Sequence, residues 1–164
     1  MNTPQMGNQN QTLLNNFYTA FAAHNGTAMA ACYHPEAVFS DPAFGTLNAK
    51  EVCAMWQMLL ERSGGNLDVS FGDVHADALT GSARWTAKYL FSKTGLTVTN
   101  KISSNFEFRD GLIYRQHDDF DFYKWARQAL GWKGALLGWS DFLQDKVRQQ
   151  ARASLNAYMA RPKS

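Results

Sequence analysis

The stretch RQHDDFDFYKW, residues 115–125, gathers one histidine and three aspartates within five positions and then runs into aromatic residues. Three chemistries compete for such a cluster: metal ligation, acid–base catalysis, and the capping of a helix that follows a strand. Side chains on a strand alternate between its two faces, and this separates the candidates. Leu112, Tyr114, Gln116, Asp118 and Phe120 fall on one face, and Ile113, Arg115, His117 and Asp119 on the other. His117 and Asp118 therefore do not converge on one ion. His117 and Asp119 share a face, but no third ligand stands at a suitable spacing, so no metal is expected. Asp121 precedes FYKWARQALG, where its carboxylate can cap the first backbone N–H groups of a helix. Asp119 reads as a solvated residue or a subunit contact.

Asp118 is the residue left over. Two earlier strands carry aromatic faces: Trp85, Ala87, Tyr89 and Phe91 in one, Ile102, Ser104, Phe106 and Phe108 in the other. The even-numbered face of the last strand is expected to look inward with them. A carboxylate among Trp85, Tyr89 and Phe106 is poorly solvated, which raises its pKa and makes it a candidate acid or base. The competing reading is a buried carboxylate satisfied by a tyrosine or a backbone N–H.

The elements that must position this residue follow from periodicity. Residues 1–12 read as a loose polar tail. Leu13, Leu14, Phe17, Ala20 and Phe21 predict a helix over about 11–24, ended by Asn25-Gly26. A short helix capped by Thr27 runs to Tyr33, and Ala37–Ser40 is a short strand ending at Asp41-Pro42. Asn48 caps a helix to about Arg62, with Val52, Met55, Trp56, Leu59 and Leu60 on its apolar face. From Leu67 the period changes to two. LDVSF, ARWTAKYLF, LTVTNKISSNFEF and GLIYRQHDDF are parted by Gly81, Gly95 and Asp110-Gly111, an antiparallel meander. Helices first and strands after indicate an α+β fold with helices on one face of a curved sheet. Residues 121–160 are helical again. There Val147, Ala151, Leu155 and Tyr158 form a narrow apolar stripe, expected to pack on the domain or on a sister subunit. WKGALLGW, at 132–139, offers a weaker membrane-surface reading.

Composition bounds the function. The 164 residues are 45% apolar and 13% aromatic, enough for one domain with a large core or an apolar pocket. A net charge of +2 argues against nucleic acid. No apolar run approaches a membrane span, and the polar N-terminus has no signal-peptide core, so the cytoplasm is expected. Cys32 and Cys53 fit no redox or zinc spacing and read as buried thiols. His24, His34 and His75 read as helix end, turn and strand edge.

The helical hairpin, VFSDPAFG, a further helix, four strands and the closing GLIYRQHDDFDF together resemble the nuclear transport factor 2-like superfamily. The likeness is to its SnoaL-like and ketosteroid-isomerase-like branches, over about residues 10–130. The resemblance implies a cone: a strongly curved antiparallel sheet packed on N-terminal helices, with an apolar pocket and a homodimer through the outer sheet face. Residues 1–130 would be that SnoaL-like domain, and 131–164 a helical extension packed on it or on a partner subunit. Asp41, before Pro42, stands where ketosteroid isomerases keep their base. Phe17 and Ser104 stand at their oxyanion-hole positions, where phenylalanine cannot donate and serine donates weakly; Tyr18 is one position off and would face elsewhere. Asp118 stands near the catalytic aspartate of limonene-epoxide hydrolases, but the partner Arg-x-Asp pattern is broken at Arg84.

Two functions stay open. One is a cofactor-free acid–base enzyme of isomerase, aldol cyclase or hydrolase type, acting on a small apolar or carbonyl-containing molecule. Asp41 and Asp118 would be catalytic, and Phe17, Phe21, Tyr33, Trp56, Trp85, Tyr89, Ser104, Phe106, Gln116 and Phe120 would hold the ligand. The other is a non-catalytic ligand-binding or dimerisation module. Neither calls for a cofactor, nucleic acid or a membrane.

Overall fold

The computed structural model describes residues 2–162. The chain opens with α1 (Thr3–Ala22) and α2 (Gly26–Ala30), followed by β1 (Tyr33–Asp41), β2 (Gly45–Asn48) and α3 (Ala49–Ser63). Four long strands come next: β3 (Asp68–Ala76), β4 (Thr80–Phe91), β5 (Leu96–Arg109) and β6 (Leu112–Asp119). The chain closes with α4 (Phe122–Leu130), α5 (Trp132–Leu137) and α6 (Asp141–Met159). One six-stranded curled sheet runs in the order β2-β1-β6-β5-β4-β3. All its pairs are antiparallel except β1 with β6. This is the α+β cone expected from the sequence.

Helix α1 is longer than its apolar pattern. The expected loose tail is helical from Thr3, with Pro4 in the first turn, where a missing N–H costs nothing. Two polar or small residues anchor it. Asn10 is buried and its Nδ2 donates to the carbonyls of Asp77 and Ala78, at 2.9 and 3.2 Å. Gly7 lies against the backbone of Asp77, so the helix can approach the β3–β4 turn. Gly81 closes the same contact from the sheet side. A Cβ there would meet Phe108, the His75 carbonyl and Leu14 at 2.9–3.0 Å.

The other local differences are small. Asn25, not Thr27, caps α2, its side chain accepting from Ala28 N–H. Asn48 caps α3 as expected, in a reciprocal capping box with Glu51. Strand β2, four residues long, had no signal of its own. In β6 the expected alternation fails at one place. A register shift opposite Glu107 and Phe108 inserts Tyr114 as an extra residue, so Ile113 is fully buried rather than sharing the face of Arg115. Beyond the bulge the alternation holds, with Gln116 and Asp118 buried, His117 and Asp119 exposed.

The main core lies between the inner sheet face and α1 and α3, built on Leu14, Phe17, Tyr18, Phe21, Met55, Trp56, Trp85 and Phe106. The stripe of α6 joins it: Leu155 is buried, and Ala151 and Tyr158 pack beside it. A second cluster sits at the far end of β5, where Phe122, Trp125, Ala126 and Ala129 of α4 close over Val98.

Candidate functional site

Asp118 sits at the centre of a polar network inside an aromatic core. It is 2% exposed. Its Oδ1 accepts from Ser104 Oγ at 2.6 Å and from Gln116 Nε2 at 3.0 Å. Behind Ser104 stand two more donors, Tyr18 OH and Trp85 Nε1, each 2.9 Å from its Oγ. Behind Gln116, the Tyr33 hydroxyl donates to Oε1 at 2.5 Å and itself accepts from Trp56 Nε1 at 2.9 Å. Every donor direction points toward Oδ1, and the Ser104 and Tyr33 hydroxyls each both accept and donate. Oδ2 receives no hydrogen bond from the described residues.

The sheet supplies this arrangement. Ser104 and Asp118 are paired across β5 and β6, and Phe106 is paired with Gln116. On the other side, β1 and β6 run in parallel with Ser40 opposite His117. Asp41 and Asp118 are the next residues along these two strands, each two positions beyond a buried residue; those two, Phe39 and Gln116, are themselves paired. The two inferred catalytic carboxylates thus lie on neighbouring strands, which run about 5 Å apart.

Asp41 ends β1 and turns the chain. Phe44 N–H donates to its Oδ1 at 2.6 Å, and the backbone N–H groups of Ala43 and Gly45 add to that stabilisation. The charged Arg148 of α6 acts in the same sense. Burial outweighs all of them, and the Asp41 pKa rises to about 6. Burial is also the largest influence on Asp118, against the Ser104 and Gln116 donors, and the Asp41 charge adds to it; its pKa rises to about 7. Burial also holds the Tyr18 and Tyr33 hydroxyls well above the ordinary phenol range, so both stay neutral donors.

Most of the expected site residues meet here. Phe17, Phe21, Tyr33, Trp56, Trp85, Ser104, Phe106 and Gln116 are buried around Asp118. Tyr89 and Phe120 are half-buried and lie at the boundary with the second cluster, where the Tyr89 hydroxyl accepts from Trp125 Nε1 at 2.8 Å. Tyr18 corrects the sequence reading: it does not face elsewhere but is fully buried on the network. The signal was present, because Leu14, Phe17, Tyr18 and Phe21 are spaced i, i+3, i+4, i+7. Arg84 is exposed on the outer face, 4.0 Å from Asp73, and takes no part. Arg148, which no motif marked, lies over Gly45 beside the Asp41 turn, and its Nε is buried without a partner among the described residues.

Two open depressions lie on the other side of the sheet. A depression of about 940 Å³ is lined by Val38, Ser40, His75, Asn105, Arg115 and His117, all on the outer sheet face. A second, of about 460 Å³, lies on that face near Arg84 and Lys101. In the larger one, Ser40 Oγ and His117 Nδ1 are 2.8 Å apart. Among the described residues, no three His, Cys, Asp or Glu side chains gather as a metal site needs.

Comparison with known proteins agrees with this architecture. The SnoaL-like domain family matches residues 14–116. A candidate SnoaL-like polyketide cyclase from Jannaschia sp. CCS1 superposes with a TM-score of 0.66 at 11% identity, covering 80% of this chain and 98% of that one. A candidate polyketide cyclase from Xanthomonas campestris gives 0.61 at 16%, covering 76% and 98%. An LEH-like epoxide hydrolase from M. tuberculosis gives 0.58 at 21%, covering 80% and 92%. These likenesses establish the fold. No curated protein sequence matches the chain.

Proposed function

The chain belongs to the SnoaL-like domain family, and we propose that it is a cofactor-independent acid–base enzyme acting on a small apolar molecule that bears a carbonyl. One observation carries this reading. Two carboxylates lie on neighbouring strands, in environments that raise both pKa values into the working range, to about 6 and about 7, and the charge of Asp41 acts on Asp118. Pairs of this kind divide the roles of acid and base.

The assignment follows from the hydrogen bonds. Asp118, with the higher pKa, is the member that keeps its proton near neutrality. Its Oδ1 is occupied by Ser104 and Gln116, so the proton sits on Oδ2 and points away from them. Asp41, held as an anion by backbone N–H groups, is the base. It takes a proton from the carbon next to the carbonyl while Asp118 gives its own to the carbonyl oxygen. The product is an enol and a reversed charge distribution, which return by the opposite transfers or go on to an isomer or an aldol product. Each positioned proton transfer is worth about 10²–10⁴-fold in rate. The neighbouring members named as cyclases and epoxide hydrolase act on small molecules, and the aromatic inner face suits a ligand of that class. Homodimerisation is part of the same proposal, through the outer sheet face.

A second reading rests on the packing. The side chains around Asp118 are almost completely buried, and the larger open volume lies on the opposite face. The network would then be a structural core, and the protein a binding or dimerisation module. Deuterium exchange into a panel of small ketones in D₂O, followed by NMR, separates the two. The enzyme reading expects exchange that Asp41→Asn lowers at least a hundredfold. Exchange that is absent for every ketone, with both carboxylates titrating near 4, would rule it out.

A further inference from the structure

Helix α5 and its flanks expose a concentration of large apolar side chains. Trp132, Trp139 and Phe142 are 70%, 75% and 72% exposed, and Leu136 and Leu137 are at least half exposed. Rings of roughly 150–250 Å² each make this patch on the order of 400 Å² before the leucines are counted. That is as large as the greatest apolar patch on an ordinary monomer. Its rigidity comes from two glycines. Gly134 is buried so closely on α4 that a Cβ would stand 1.9 Å from the Ala126 carbonyl oxygen. Gly138, one turn on, would meet the Ala126 and Tyr123 side chains at 3.0 and 3.1 Å. The face of α5 turned to the protein thus consists of glycine, and every large apolar side chain is pushed to the other face. Trp139 has its indole N–H satisfied by the Leu136 carbonyl at 2.9 Å, so its ring is free to leave water.

Charge distinguishes the occupant. Residues 121–164 hold eight Lys and Arg against three Asp and Glu, while residues 1–120 hold eight against eleven. Lys124, Arg127, Lys133 and Lys146 are exposed around the patch. Lys133 Nζ lies 5.7 Å from the Trp132 ring. Of the acids nearby, Asp145 is tied to Arg148 at 3.4 Å, leaving Asp141. A protruding aromatic surface with a basic surround suits the headgroup region of a bilayer, where tryptophan concentrates and anionic lipids attract lysine. We propose that the α5 segment, from Trp132 to Phe142, is a docking surface for an anionic membrane, lying on it without spanning it. Among the described residues no helix is long and apolar enough to cross a bilayer. The sequence favoured packing for this whole region. That holds for α6, whose stripe is covered, and not for α5.

Flotation of the full-length protein with vesicles tests this. Expected is binding to phosphatidylcholine vesicles containing phosphatidylserine, at least tenfold weaker with phosphatidylcholine alone or in 0.5 M salt. The combined variant Trp132→Ala, Trp139→Ala, Phe142→Ala should lose at least tenfold in binding with unchanged circular dichroism. A blue shift of tryptophan emission on binding should vanish in that variant, because Trp56, Trp85 and Trp125 are already buried. Absence of binding to anionic vesicles overturns the proposal. So does binding that the variant retains. Self-association that the variant abolishes, without any vesicle binding, identifies a second copy as the occupant and also overturns it.

Discussion

Adjacent residues of β6 belong to two different worlds. His117 and Arg115 face outward into an open depression of about 940 Å³, which Val38, Ser40 and Asn105 also line. Asp118 and Gln116 face inward, among aromatic rings, with every donor around them already committed. The outer face has open volume at exposed side chains. The inner face has buried groups whose pKa values are raised. Which side of one strand a residue takes decides its environment, and burial raises the Asp118 pKa.

The sharpest way to break that contrast is to remove the charge and keep the shape. Asp118→Asn can accept from Ser104 and Gln116 as the protonated acid does. The native carboxyl titrates near 7 when folded and near 3.8 when unfolded. The folded state therefore holds a proton that the unfolded state has lost. Stability contributed by this group is complete below pH 3.8, falls as pH rises, and levels off above about pH 7. The gap of roughly three pH units corresponds to about 4 kcal/mol. Urea unfolding should find wild type and variant nearly equal at pH 4. At pH 8 the variant should be more stable by about that amount. A constant difference across this range would mean that Asp118 is not desolvated.

Ser104→Ala attacks the same face from the donor side. It strips Asp118 of its shortest hydrogen bond and leaves Tyr18 OH and Trp85 Nε1 buried without an acceptor. Orphaned buried donors cost about 1–3 kcal/mol each, so a loss of about 3 kcal/mol is expected at pH 5. The Asp118 pKa should also rise, because a donor to the charged form has gone. Carboxyl-carbon NMR reads the second effect directly. A fall in the pKa would contradict the network.

Ser104 also shows how far the sequence could be read. Period-two alternation was enough to put Ser104, Phe106, Gln116 and Asp118 on one inward face, because one buried face fixes the register. It failed at Ile113, where the Tyr114 bulge adds a residue that no local residue type announces. Tyr18 was misjudged because a single matched position was weighed, and not the width of a helical face. Residues 3–12 looked loose because a buried Asn10 and a contact glycine are polar or small, and only their partners in the β3–β4 turn make them helical. The parallel pairing of β1 with β6 had no signal in either strand alone. Without it, Asp41 and Asp118 are two separate aspartates. With it, they are a pair.

That pairing is what Asp41→Asn probes. The asparagine oxygen still accepts from Phe44 N–H, so the turn should survive, with a stability change under about 1 kcal/mol at pH 4, where the native carboxyl is protonated. The Asp118 pKa should fall, because the charge that raises it has been removed. The fall should be smaller than the rise caused by burial. An unchanged Asp118 titration would mean that the two carboxylates do not sense each other, and the acid–base division would lose its basis.

The smallest effect is expected one residue from the largest. His117→Ala removes an exposed imidazole and its contact with Ser40 Oγ. Surface substitutions of this kind shift stability by about 0.5 kcal/mol or less. The Asp118 titration should not move, because the sheet separates the two side chains. If it does move, or if stability falls by several times that amount, then the outer face contributes to the inner site, and the separation drawn across β6 is wrong.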